Sequence, residues 1–264
     1  MGIASEMQCV ILAGGLGTRL SEHTNKIPKP LVEIGNIPIL VHIMRHYYKF
    51  GVNKFIICAG YKAHKINEYF ANYAYLQNDY EFNIGFNEVK LISNRCEDWN
   101  VKVVNTGYDT MTGGRLAKIK KYLSPDKPFF MTYGDGLADV DIQKLLKSHT
   151  ASRAVTTVTA VEPPARFGAL SINKENGRVT RFAEKPAGEF GRINGGYFVV
   201  ENCALDLIES DWTSWEKEPM EKLAKEGNLN SFLHNGFFHP MDTERDRKML
   251  QDMWDTSLGL WGNE

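Results

Sequence analysis

The feature that most constrains this 264-residue chain is a short apolar run, residues 8–13 (QCVILA), that ends at Gly14-Gly15. Six residues without polar alternation suit a strand covered on both faces, and such strands belong to parallel sheets with helices on either side. The pattern then continues. Ile39, Leu40, Ile43, Met44 and Tyr47 recur at helical spacing after Pro38, a residue suited to a first helical turn, and Gly51 supplies a stop. Residues 54–59 (KFIICA) read as the second strand and 61–73 as the second helix. This alternation predicts βαβ units, hence an α/β fold with a mostly parallel, Rossmann-like sheet flanked by helices.

Between 74 and 100 the pattern loosens and only 86–92 resembles a strand, so this stretch reads as an insertion. Residues 101–105 and 128–133 read as strands with a helix over about 114–123 between them, followed by a helix over 142–149 and a strand over 154–161. The last third is richer in β pattern. Residues 167–172 and 178–182 flank Asn176-Gly177, a pair suited to a two-residue hairpin turn. A strand at 197–200 and helices near 219–225 and 243–254 complete the reading. No repeat or low-complexity linker divides the chain, and its length lies near the upper size for one core, so a single domain over 7–264 is expected.

The 31 basic and 32 acidic side chains nearly cancel, which argues against nucleic acid or an anionic membrane as partner and makes any phosphate recognition local. Cys9, Cys58, Cys96 and Cys203 are far apart, form no metal-ligand spacing, and read as reduced packing residues. No signal peptide or membrane span is legible at the start, so a cytoplasmic protein is expected. Met7 stands where the first strand begins, and residues 1–6 read equally as a tag scar or a native extension.

The segment Leu12-Ala13-Gly14-Gly15-Leu16-Gly17-Thr18-Arg19 follows the first strand, where the carboxyl end of a parallel strand opens a ligand crevice. Glycines let backbone N–H groups approach a phosphate, Thr18 can donate a hydroxyl, and Arg19 adds a planar charged fork. Leu20 stands where a dinucleotide fingerprint needs its third glycine, and no Gly-Lys-Ser/Thr is present for a Walker loop. The glycines alone fit an ordinary turn as well. Ten residues past Arg19, Lys29 lies between Pro28 and Pro30, which is expected to hold it in an extended segment.

Asp135, in Gly134-Asp135-Gly136 after a buried strand, could hold a hydrated divalent ion or make a turn hydrogen bond. Asp242, before the last helix, reads locally as an N-cap, while Asp139 and Asp141 read as surface or capping groups. Glu184-Lys185-Pro186 and Asn194-Gly195-Gly196 could border the crevice and supply donors and acceptors for hydroxyls. Trp215 and Glu216 read as packing and capping residues with no further role.

Taken together, Gly-Gly-x-Gly-Thr-Arg, the spacer 20–27 and Pro-Lys-Pro resemble the signature of the sugar-1-phosphate nucleotidyltransferases, over about residue 7 to the C-terminal tryptophans. The resemblance implies a nucleotide-diphospho-sugar transferase fold with a smaller β-rich, sugar-binding part. It gives residues of about 7–140 to the nucleotide and about 141–264 to the sugar. It further implies that the loop and Tyr133 and Gly134 hold the triphosphate, that Arg19 and Lys29 neutralise phosphate charge, and that Asp135 and Asp242 bind Mg²⁺. Glu184, Lys185, Asn194 and Gly195 would hold the sugar phosphate, with Gly168 in the adjoining wall. Thr110-Met111-Thr112-Gly113-Gly114-Arg115 departs from the thymidylyl and uridylyl branches and is similar to the branch that takes CTP and glucose 1-phosphate, which places Thr110, Gly113, Gly114 and Arg115 at the base. A homo-oligomer is implied by the same resemblance.

Overall fold

A computed structural model of the chain describes residues 3–163, 169–172, 178–183 and 191–256. Seven strands form the central sheet: β1 (Gln8–Ala13), β2 (Lys54–Ala59), β3 (Asn100–Asn105), β4 (Phe129–Tyr133), β5 (Thr156–Val161), β6 (Ile193–Val200) and β7 (Leu229–His234). Their spatial order is β7-β5-β6-β4-β1-β2-β3. All neighbours pair in parallel except β6, which runs antiparallel to both β4 and β5. That reversal matters for the site. The first residues of β6 emerge at the sheet edge where β1 and β4 end, so Asn194 and the chain after Ala13 and Tyr133 share one rim.

Alternate residues of the central strands feed two apolar layers, as a twofold strand period requires. Cys9, Ile11, Phe55 and Ile57 face one side, where helices α1 (Ile39–Lys49) and α4 (Ile142–Ser152) contribute Leu40, Ile43, Tyr47 and Leu145. Val10, Leu12, Ile56 and Cys58 face the other, covered by Leu116 and Ile119 of α3 (Thr112–Ile119), by Trp215 and by Leu223 of α5 (Glu218–Lys225). Each such aliphatic side chain contributes about 1.5–3 kcal/mol by leaving water. Truncating Ile57, fully buried, to alanine would cost about 2–5 kcal/mol.

The expected strands and helices recur with shifts of a few residues, among them helices α2 (Ala63–Ala71) and α6 (Glu244–Asp255), and Ser21–Thr24 and Tyr73–Gln77 form single helical turns. Asp141 caps α4 by accepting the Lys144 N–H at 2.9 Å, and Thr243, not Asp242, caps α6 in a capping box with Asp246. Residues 74–100 hold a two-stranded ribbon, Tyr80–Asn83 with Glu88–Leu91, outside the main sheet. Two features escape a sequence reading. β7 has a mixed pattern (LNSFLH) because it is a half-exposed edge strand, and the ribbon Gly136–Ala138 with Phe238–Pro240 is only three residues deep. Ala169–Ile172 and Val179–Ala183 pair antiparallel, while the expected Asn176-Gly177 turn lies outside the described residues. Cys9 and Cys58 are buried as packing residues, but Cys203 is exposed, because it falls in a surface turn rather than an apolar strand. Among the described residues, no helix is long and apolar enough to cross a membrane.

Two histidines of α1 are buried and neutral. His42 Nε2 lies 2.9 Å from the Ile34 carbonyl and His46 Nε2 2.8 Å from that of Val140, and burial pulls both down to about 4. The unfolded chain therefore binds these protons more tightly, so stability present above pH 6.5 is lost as pH falls through 4, on the order of 3 kcal/mol for each histidine. In His46→Gln, which keeps a donor for the carbonyl and cannot titrate, the fall of Tm between pH 6.5 and 4 should be shallower. Equal slopes in variant and wild type would refute neutral burial.

Candidate active site

Past Ala13 the chain turns through 14–17, and Gly17 takes a positive φ of 62°. A Cβ there would also stand 2.8 Å from Thr24 Cγ2 and 3.1 Å from Lys29 Cβ, so only glycine suits the position. Thr24 Oγ1 donates to the Gly17 and Leu20 carbonyls at 3.0 and 3.2 Å and fixes Thr18–Leu20 as a 3-10 turn. Gly15 faces open space. The bare backbone thus borders a cavity of about 230 Å³ lined by Leu12, Ala13, Gly15, Gly17, Thr18, Arg19, Lys29, Pro30, Gly134, Asp135 and Asp242. Gly14 and Leu16 are not part of that lining.

Lys29 is not in an extended segment. Pro28 is extended, but Lys29 opens a 3-10 turn, Lys29–Leu31, closed by the Leu31 N–H on the Pro28 carbonyl at 2.9 Å. The turn aims the side chain inward, where Nζ donates to Asp135 Oδ2 at 2.7 Å and to Asp242 Oδ1 at 2.9 Å. Burial disfavours the ammonium, yet the two carboxylates outweigh it and hold the Lys29 pKa above the ordinary lysine value. Arg19 Nη1 lies 3.5 Å from Asp242 Oδ2 with its side chain 72% exposed, so its guanidinium is available to an arriving anion.

Asp135 and Asp242 are 107 positions apart and meet because of the short ribbon. Pro240 pairs with Gly136, and the Met241 N–H donates to the Asp135 carbonyl at 2.8 Å. Asp246 Oδ2 accepts the N–H groups of Asp242 and Thr243 at 3.2 and 2.8 Å. With capping left to Thr243, the Asp242 carboxylate is free to face Lys29.

A second cavity, of about 320 Å³, adjoins the first and shares Asp135 and Asp242 with it. Asn194, Gly195, Gly196, Tyr133, Thr132, Tyr197, Phe238 and Pro240 are among its lining. Asn194 and Gly195 line this cavity together with the two carboxylates, and so does Tyr133, which is not in the lining of the first. Gly168, Glu184 and Lys185 lie outside the described residues.

The segment 110–115, expected at the base, is engaged by other parts of the chain. Arg115 is buried and donates to the carbonyls of Gly14 at 3.1 Å, Gly107 at 2.8 Å, Ala59 and Tyr108, both at 3.3 Å, and to Thr106 Oγ1 at 2.7 Å. Burial lowers its pKa from the ordinary arginine value, and five acceptors compensate the charge. Gly113 and Gly114 back onto the chain at 211–213, where a Cβ would lie 2.7 Å from the Thr213 carbonyl oxygen and 2.5 Å from that of Asp211. Thr110 Oγ1 donates to the Thr106 carbonyl at 2.7 Å. None of these four residues lines either cavity: the glycines serve close packing and the arginine ties loops together.

Sequence reasoning also passed over Glu216. Trp215 is a fully buried packing residue, as expected, but Glu216 accepts three hydroxyls: Tyr133 at 2.6 Å, Thr112 at 2.6 Å and Ser214 at 2.8 Å. No local pattern signals this, because two of its partners, Tyr133 and Thr112, come from a strand end and a helix start more than eighty residues away.

Two cavities that meet at a pair of carboxylates, one rimmed by bare backbone and cations and the other by amide and phenol groups, suit an enzyme that joins two phosphate-bearing substrates. The chain belongs to the nucleotidyl transferase family, whose sequence profile matches residues 8–237. It is 49% identical to a glucose-1-phosphate cytidylyltransferase of Salmonella typhi, over 97% of this chain and 98% of that one. It is 30% identical to the catalytic subunit beta of a mannose-1-phosphate guanylyltransferase of Dictyostelium discoideum, over 94% of this chain and 64% of that one. Among solved structures, HddC from Yersinia pseudotuberculosis shares the fold with a TM-score of 0.69 at 24% identity, covering 94% of this chain and 99% of that one.

The two halves of the glycine pair make a contrast that tests the loop. A Cβ on Gly14 would collide with the Arg115 guanidinium, whereas one on Gly15 meets nothing within 4 Å. Gly14→Ala should cost about 1–3 kcal/mol of overpacking, read as a Tm lower by about 3–10 °C, with Gly15→Ala close to wild type. A Tm drop in Gly15→Ala as large as in Gly14→Ala would contradict this placement of Arg115.

Proposed function

We propose that this chain transfers a cytidylyl group from CTP to α-D-glucose 1-phosphate, giving CDP-glucose and pyrophosphate. The observation that carries the reading is the convergence of Asp135 and Asp242 on Lys29 where the two cavities join. The 49% identity to a glucose-1-phosphate cytidylyltransferase supports the choice of base and sugar. In the reaction, an oxygen of the sugar phosphate attacks the α-phosphorus in line. The new P–O bond forms as the bond from the α-phosphorus to the bridging oxygen breaks, and pyrophosphate leaves with that electron pair. The attacking phosphate is already anionic near neutral pH, so no general base is needed.

The task left to the protein is alignment and neutralisation of charge. Leu12, Ala13, Gly15, Gly17 and Thr18 cradle the triphosphate, Arg19 and Lys29 meet its charge, and Gly14 is held in place by Arg115. Gly134 brings Asp135 to the rim, and its N–H bonds the Leu12 carbonyl at 2.9 Å. Asn194 and Gly195, with Gly168, Glu184 and Lys185, take the sugar phosphate. The division into a nucleotide half of about 7–140 and a sugar half of about 141–264 belongs to the same proposal, with Asp242 reaching across it.

Asp135 and Asp242 fit a divalent ion. Among the described residues no group of three or more His, Cys, Asp or Glu side chains gathers to hold a metal, so the rest of a coordination shell falls to phosphate oxygens and waters, as Mg²⁺ prefers. Bound there, Mg²⁺ would screen the repulsion between the two phosphates. Lys29, now between the carboxylates, would then have its ammonium free for phosphate oxygens.

Pyrophosphate release measured with CTP, UTP, GTP, ATP and dTTP, each with glucose 1-phosphate, should be fastest with CTP. A different best triphosphate would correct the base, and no release with any of them would favour a non-catalytic sensor. Lys29→Ala should lose about a hundredfold or more in turnover while its circular dichroism is unchanged. Near-normal turnover would remove Lys29 from the mechanism. A cytoplasmic location and a homo-oligomer complete the proposal, and the exposed apolar side chains Phe82, Val89 and Leu91 on the ribbon outside the sheet support the association. Light scattering should give a mass that is a multiple of 29.9 kDa.

A further inference from the structure

We propose that Tyr133, held by Glu216, selects the sugar by accepting a hydrogen bond from one of its hydroxyl groups. The inference rests on the reading of the second cavity as the sugar side.

The argument begins with Glu216, whose carboxylate accepts and has no proton to give. Its Oε2 is occupied by the hydroxyls of Thr112 and Ser214 at 2.6 and 2.8 Å, and its Oε1 lies 2.6 Å from the Tyr133 hydroxyl. Tyr133 must therefore donate its only proton to Glu216, and the short distance is that of a charge-assisted bond. The phenolic oxygen keeps its lone pairs and becomes an acceptor toward everything else. One neighbour already uses it in that sense: Asn194 Nδ2 donates to it at 3.4 Å, a long contact that leaves capacity for a better donor.

The ring is fixed as well as the proton. Gly196, at a φ of 77°, lets β6 pass flush against it, since a Cβ there would lie 2.8 Å from Tyr133 Cδ2. Phe198 closes the ring's edge in a T-shaped contact at 6.0 Å between centroids. Tyr133 and Asn194 line the cavity that also contains Asp135 and Asp242, so a sugar whose phosphate lies near the carboxylates has its ring hydroxyls in reach of this wall. A rigid acceptor with no proton of its own favours a hydroxyl there. An analogue lacking that hydroxyl would leave the acceptor unpaired, which is the condition under which binding sites discriminate most strongly. Glu216 is then a positioning residue, acting through Tyr133. It also ties the wall to the first turn of α3 through Thr112, whose Oγ1 in addition accepts the Trp215 N–H at 2.9 Å.

The test compares kcat/KM for glucose 1-phosphate with that for each of its monodeoxy analogues, in wild type, Tyr133→Phe and Glu216→Gln. Wild type should reject one analogue, and Tyr133→Phe should shrink that ratio by about tenfold or more while the ratios for the other analogues stay in place. Glu216→Gln keeps the shape, but its amide can present an N–H to the phenol, which then turns its own proton toward the cavity, so the same ratio should shrink. A purely structural role would instead lower all substrates alike. The proposal is overturned if wild type rejects no monodeoxy analogue, or if Tyr133→Phe keeps the ratio. Loss in Tyr133→Phe with full retention in Glu216→Gln would overturn the part assigned to Glu216, and if one variant does not fold the other decides. A wrong sugar in the proposed function shows separately, as a different best substrate for wild type, and the comparison is then made with the monodeoxy analogues of that substrate.

Discussion

Everything at the rim of this sheet is arranged around one ion cluster, the Lys29 ammonium shared by Asp135 and Asp242. Two carboxylates brought to one cation in this way would repel each other without it. Lys29 supplies the cation from within the chain, so the pair can assemble on folding before any metal or phosphate arrives. Three distant pieces of sequence are committed by this contact: the proline-flanked turn after the glycine loop, the end of β4, and the chain entering α6. Each is set by ordinary local means, a 3-10 turn, a buried strand and a three-residue ribbon, and none of these alone suggests the meeting point.

That division explains what was legible in the residues. Strands β1, β2 and β4 could be read because burial on both faces leaves an unbroken apolar run, and α1 because its apolar residues recur at helical spacing. β7 could not, since an edge strand with one wet side and few β-branched residues looks like a loop. The glycine loop was legible from the strand end it follows, while Lys29 and Asp135 stand out only once the resemblance joins them to that loop. Asp242 was not legible on local grounds, because an aspartate before a helix is usually its cap. The resemblance to a family raised it, and the structure gives the physical reason: Thr243 and Asp246 make the capping box and release Asp242.

The segment 110–115 has neighbours that its residues do not announce. Paired glycines at a helix start permit close approach by any flat or crowded neighbour, and the sequence does not say which. Here the neighbour is the backbone of 211–213, so the glycines bring α3 against a chain segment from the other end of the molecule. Glu216, three residues beyond that segment, then reaches Tyr133. The wall of the second cavity is thereby tied to the first turn of α3.

Arg115 bears on how ligands are received. A loop with three glycines in four residues would, on composition, be among the most freely moving parts of the chain. One buried guanidinium instead holds the carbonyl of Gly14 together with those of Ala59, Gly107 and Tyr108, so that it gathers the ends of three different strands. Part of the entropy lost in ordering the loop is therefore lost when the protein folds, and in the proposed reaction less remains to be lost on binding of the triphosphate. A loop that looks soft in its residues is thus tied down at Gly14 before any ligand arrives.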